Sequence, residues 1–254
     1  MRIGYTRLRT VVWTTLKENM RNPVLLVLGL FLPIYLIGVI NFAAPDDSVR
    51  VMLPKGGGDT AVEIGLRNLY GIIMASSAVA LIGGLTGMFV IQRAKQSDSR
   101  LVVVGYGPGE LIGARFLFIG LMVAVVIGVT VGFLALFVVP ELIAWFVLGL
   151  LVASLIYGMA GILVGVIFDK LAGTYIILFA PLLDILIFGY SSVVNTDVDV
   201  WFRVLPSYHP LQVMFDSAFT HQMDTLANLG WSLIYLVVLS GIAISVFYWV
   251  TRSG

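Results

Sequence analysis

The sequence predicts an all-α membrane protein with six transmembrane helices, on three observations. Apolar stretches at 24–43, 68–91, 116–137, 142–167, 174–193 and 230–250 occupy most of the 254 residues. Each is long enough, at about 1.5 Å of rise per residue, to cross a hydrocarbon core of about 30 Å. Between them they hold a single charged side chain, Asp184. None alternates with period two, which removes the β-barrel, the other structure that satisfies its own backbone in lipid. Composition agrees, since 59% of residues are hydrophobic and 11% charged, far from the usual balance of about half and a quarter.

The chain reads as one transmembrane domain, 1–254. Residues 2–22 carry Tyr5, Leu8, Val12, Trp13, Leu16 and Met20 on one side of a helical wheel, with Arg7, Lys17 and Arg21 on the other. That pattern suits an amphipathic helix lying in the membrane interface. Asn22-Pro23 turns the chain into the bilayer, because proline fits the first turn of a helix. No cleavable leader is expected, the first apolar run being long enough to span and to stay in place. Pro33 falls inside that run and is expected to kink it.

Charge orients the bundle. Arg50, Lys55, Arg67 and Arg203 fall on one side, and the remaining eleven of the 15 Lys and Arg fall on the other. The positive-inside rule then places both termini in the cytoplasm of a multi-pass protein of the cell membrane. Residues 44–67, with Gly56, Gly57 and Gly58, read as a mobile polar outer loop. The links at 138–141 and 168–173 are tight turns, making the spans they join antiparallel neighbours. Residues 194–229 form an outer segment rich in apolar residues, expected as two short helices broken between Pro206 and Pro210. Such helices either dip into the outer leaflet or cap the bundle.

Small residues at helical spacing, Gly83/Gly87, Gly128/Gly132, Ser154/Gly158 and Gly161/Gly165, allow close helix approach, here read as packing within one chain.

Several chemistries are missing. There is no cysteine, and His209 and His221 stand twelve apart without a metal-site pattern. No lysine is followed by serine or threonine after a glycine-rich turn, so the chain has no phosphate-binding loop and any nucleotide-driven work belongs to another polypeptide. Net charge near zero gives no footprint for nucleic acid. Gly189-Tyr190-Ser191 has the shape of a nucleophile motif, but no histidine lies in any span to serve as its base. Asp184 must face protein or water. It stands either on a substrate path or proton-sensitive gate, or bonded to a neighbouring serine, threonine or backbone group.

The connection at 92–115 is the most informative stretch. Asp98, Arg100, an apolar Leu101 to Val104 face, then Gly105, Gly107, Pro108 and Gly109 before Arg115 describe a short helix with a mixed surface and a sharp turn. This run resembles the cytoplasmic segment of type-2 ABC exporter permeases, and Pro-Ser-Tyr-His-Pro at 206–210 resembles the outer segment of the same family. The resemblance covers interfacial helix, six spans, cytoplasmic link and outer helices. It implies a permease domain that binds no cofactor itself and pairs with a second permease, as homodimer or heterodimer. Two ABC ATPase subunits would hold ATP and Mg, with Asp98, Arg100, Leu101 and Gly105 at their contact. Spans nearly free of charge favour an amphiphilic or hydrophobic cargo such as a lipid, drug or lipopeptide. A non-transporting membrane scaffold or immunity factor, and an intramembrane hydrolase using Asp184 and Ser191, are the alternatives.

Overall fold

The computed structural model describes residues 23–55, 58–103, 108–194 and 203–252. Its elements run α1 (Pro23–Ala43), β1 (Ser48–Lys55), β2 (Gly58–Gly65), α2 (Leu66–Val103), α3 (Pro108–Leu134), α4 (Ile143–Ile167), α5 (Lys170–Val194), α6 (Tyr208–Phe219) and α7 (Leu226–Arg252). Six of the described helices, all but α6, contain a stretch long and apolar enough to cross a membrane. The expected interfacial helix at 2–22 lies outside the described residues. With each long helix crossing once, the hairpin, the 135–142 link, α6 and the start of α7 gather at one end of the bundle. We call this the hairpin end, and the opposite one, where α2 finishes, the tail end.

Helix α2 is the axis. Nearly all of its membrane stretch is buried, whereas α1, α5 and α7 bury only a small part of theirs. It packs most extensively on α4, and α1, α3 and α5 also lie against it; α6 and α7 pack on α4. The α2–α4 seam is made of small residues. A Cβ added to Gly83, Gly87 or Gly161 would overlap the backbone carbonyl oxygen of Ser154, Gly158 or Gly84 respectively. Ser154 Oγ donates across the seam to the Val79 carbonyl at 2.8 Å. Only residues without bulk let two backbones approach this closely, and in lipid such van der Waals contact replaces the hydrophobic drive that water would supply. Three of the four small-residue pairs read from the sequence therefore pack within the chain. Gly128 and Gly132 do not, because nothing lies within 4 Å of where their Cβ atoms would be.

The loop expected to be mobile contains an antiparallel hairpin, with Val51 opposite Val62 and Leu53 opposite Thr60. Its strands alternate: Val51, Leu53 and Ile64 are buried while Met52 is exposed. This period-two pattern sits between polar flanks and a glycine run, whose turn signal hides it. At the hairpin base Arg67 donates to the Ala44 carbonyl at 3.0 Å and pairs with Asp46 at 2.8 Å, fixing the entry to α2.

The two turns behave as read. Between α4 and α5 only Phe168 and Asp169 intervene, and Asp169 Oδ1 accepts from the Ala172 amide at 2.8 Å, an N-cap for α5. In the outer segment a helical turn at 203–204 ends in a turn at Pro206 and Ser207, and the residues just before it, 195–202, lie outside the described ones. One helix then runs from Tyr208 to Phe219 through Pro210, whose missing N–H costs nothing in a first turn. Most of α6 is buried, inserted against α4 at Gly149, where a Cβ would meet Met214 at 2.8 Å. The link after span two differs from expectation. Asp98, Arg100 and Leu101 lie on the unbroken continuation of α2, with no separate helix before Val103.

Gly87→Ala and Gly161→Ala are expected to force α2 and α4 apart and cost about 1–3 kcal/mol each. Gly128→Ala is expected to leave stability within about 0.5 kcal/mol or raise it slightly, alanine being the better helix former. Thermal unfolding in detergent checks the contrast.

Candidate functional site

Asp184 sits on α5 one turn after Pro181, a helix-interior proline that removes a hydrogen bond from the turn before the acid. Its side chain is 9% exposed. Three donors converge on it. The Tyr157 hydroxyl of α4 donates to Oδ2, the Ser207 hydroxyl to Oδ1 at 2.6 Å, and the Ser207 backbone N–H to Oδ2 at 3.2 Å. Ser207 is the residue before the first turn of α6. The buried acid therefore joins three separate parts of the bundle: α4, α5 and the entry to α6. Among the described residues it pairs with no lysine or arginine, and its partners are neutral hydroxyls and an amide. Of the two sequence readings, the geometry meets the one in which Asp184 bonds a neighbouring serine, and adds that this serine belongs to the outer segment.

A second carboxyl group lies in the same segment and is wholly buried. Asp216, on α6, is 0% exposed. Oδ2 accepts from the amides of Asp224 at 2.8 Å and Thr225 at 3.0 Å, and from the Thr225 hydroxyl at 2.9 Å. Oδ1 accepts from the Thr220 hydroxyl at 2.7 Å. These amides lie at the start of α7, where unpaired N–H groups and the helix dipole favour an acceptor. Asp216 thus closes the 220–225 loop and fastens α6 to α7. The start of α4 is fastened too, since the Leu142 amide donates to the Ser217 carbonyl at 2.8 Å.

Tyr157, Ser207 and Asp216 were not singled out from the sequence. A tyrosine inside an apolar span and a threonine immediately before one, at Thr225, are the local signals that could have found Tyr157 and the partner of Asp216; no local pattern marks Ser207 as a ligand of a distant acid. Asp98, Arg100 and Leu101 lie far from both acids, at the tail end of α2, five to eight residues past Arg93, where its membrane stretch stops. Gly105 lies outside the described residues. No group of three or more His, Asp or Glu side chains is placed to hold a metal among the described residues.

Residues 59–249 match the sequence model of a family described as ABC-2 family transporter protein. Among curated proteins, none matches the chain.

Asp216→Ala leaves two amides and two hydroxyls at the α6–α7 junction without their acceptor, and is expected to cost at least about 2 kcal/mol. A lowered midpoint of thermal unfolding, with faster proteolysis within 220–225, would register it.

Proposed function

The chain belongs to the ABC-2 family of transporters, whose membrane domains are not themselves catalysts, and from this premise we propose that it is the membrane subunit of an ATP-driven exporter. On this reading the tail end faces the cytoplasm, in keeping with the excess of lysine and arginine that the sequence pattern assigns to that side. Separate ATPase subunits hold ATP and Mg and seat against Asp98, Arg100, Leu101 and Gly105. A second permease, identical or not, completes the path. The cargo is amphiphilic or hydrophobic, because the spans offer almost no charge to replace the hydration of an ion.

The observation that carries the reading is that a single helix connects the two ends. Helix α2 starts at the hairpin base and runs 38 residues to the tail, about 57 Å at helical rise. Over its buried length it is seamed to α4, and α4 carries Tyr157. Closure of the ATPases displaces the tail, and the rigid α2–α4 pair transmits the displacement. The Tyr157–Asp184–Ser207 junction is the element that yields, because each of its hydrogen bonds contributes only about 1–3 kcal/mol. Parting of that junction frees the entry to α6, and the path opens at the hairpin end. This is coupling through a packed rigid pair and one bistable contact.

Two outcomes test it. In mild detergent the chain should co-purify with its ATPase, and Asp98→Lys combined with Arg100→Glu should reduce recovery of the complex about tenfold by reversing complementary charge; an undiminished complex would put the contact elsewhere. Asp184→Asn keeps the side chain's shape while altering its donor and acceptor pattern. It should leave assembly intact but change the export rate or its pH dependence, and transport unaltered at every pH would remove Asp184 from the mechanism.

A further inference from the structure

Beside the α6–α7 junction lies an open recess of about 430 Å³ lined by Arg203, Tyr208, His209, Asn228, Trp231 and Tyr235, among others. That is the size of a small-molecule site. Its walls are aromatic. The His209 ring lies 6.1 Å from the Trp231 ring and stacks on it with an interplanar angle of 20°. Tyr235 is 6.1 Å away on a tilted face, and Tyr208 meets His209 edge-on at 5.0 Å. The walls are also held in place. His209 Nδ1 lies 2.8 Å from Asn228 Oδ1, and since an amide oxygen only accepts, the ring nitrogen donates. The Tyr235 hydroxyl donates to the Val204 carbonyl at 2.9 Å, tying α7 to the strand of chain that presents Arg203.

Position and continuity indicate what fits. Asn228, Trp231 and Tyr235 lie in the first three turns of α7, whose membrane stretch begins at Leu226. The recess is therefore at the depth of lipid headgroups, where tryptophan and tyrosine concentrate. From Trp231 the same helical face continues through Ile234, Tyr235, Val238 and Ile242, spaced three, four, seven and eleven residues on. Trp231, Ile234, Val238 and Ile242 are 54%, 51%, 54% and 45% exposed. A cationic, hydrogen-bonding recess thus opens directly onto an uncovered apolar stripe that runs into the hydrocarbon. A soluble anion would use the first part and leave the second bare; an acyl chain alone would use only the second.

We propose that this recess and stripe bind one anionic membrane lipid, its phosphate on Arg203, its headgroup against the Trp231, His209 and Tyr235 rings, and an acyl chain along Ile234, Val238 and Ile242. A guanidinium matches a phosphate by paired, charge-assisted hydrogen bonds. The site is independent of the exporter reading, since it needs neither ATPase nor transport.

Native mass spectrometry of the delipidated full chain in nonionic detergent, titrated with phosphatidylglycerol, phosphatidylcholine or inorganic phosphate, tests it. Phosphatidylglycerol should bind about tenfold more tightly than phosphatidylcholine. Arg203→Gln should abolish that preference and Arg203→Lys should retain part of it. Trp231→Leu should weaken both lipids, and inorganic phosphate at matched concentration should displace neither. Arg203 and Trp231 are both exposed, so these variants remove no core side chain. Unchanged selectivity in Arg203→Gln overturns the assignment. Preference for phosphatidylcholine would identify a choline cage instead, and displacement by phosphate a free-anion site. If Val238→Trp turned a dimer into a monomer without affecting lipid binding, the stripe would belong to a second copy; each of these three results also overturns it.

Discussion

The backbone-to-backbone seam between α2 and α4 is the contact on which the rest of the bundle depends. In water a helix pair is driven together by apolar burial, but in lipid the tails compete equally for leucine and isoleucine, and only closer packing distinguishes protein from solvent. Gly83, Gly84 and Gly87 on one helix and Ser154, Gly158 and Gly161 on the other provide it, with carbonyls standing where side chains would be. The seam places α2 at the centre, with α1, α3 and α5 around it, and gives α6 and α7 a wall on α4. It also makes two helices behave as one body, which a looser contact between large, mobile side chains would not.

Polar chemistry is distributed unevenly along that body. Both buried acids hold the α6 segment, and each joins elements that neighbouring packing would leave separable. Asp184 ties α4 and α5 to the entry of α6, while Asp216 ties α6 to α7. Among the described residues neither pairs with a lysine or arginine. A buried ion pair needs full geometric compensation for its desolvation, whereas a carboxyl group surrounded by hydroxyls and amides is satisfied by groups that the helix ends already expose. The junction is consequently specific in geometry yet made of individually modest hydrogen bonds, the combination that a segment required both to seat and to release would need.

Along the flanks the opposite holds. Helices α1, α5 and α7 present large apolar side chains such as Phe31, Phe179 and Val237 to the outside, as helices facing lipid must. The exposed face of α7 is unusual in beginning with a tryptophan, a tyrosine and an arginine-lined recess, so that its chemistry changes from polar to apolar in the same order as that of a phospholipid. The glycines of α3 at 128 and 132 remain uncovered, whereas identical spacing on α2 and α4 is consumed within the chain.

By itself the sequence determined the helical class, the six spans to within a few residues over most of their ends, the two tight turns and the burial of Asp184. These are one-dimensional quantities: hydrocarbon thickness sets span length, and a lone acid in an apolar run has only the protein interior to enter. It also indicated that small-residue pairs serve packing, though spacing alone did not separate Gly83/Gly87 from Gly128/Gly132, because which face meets a neighbour depends on how the helices are arranged. Tertiary structure alone decided the partners of Asp184, since Tyr157 and Ser207 are 27 and 23 residues away along the chain. It likewise decided that a glycine-rich loop folds as a hairpin once Val51, Leu53 and Ile64 have a bundle to cover, and that Asp216, polar and seemingly exposed, is buried. In each case the controlling energy is a hydrogen bond or a contact between segments that local pattern cannot bring together.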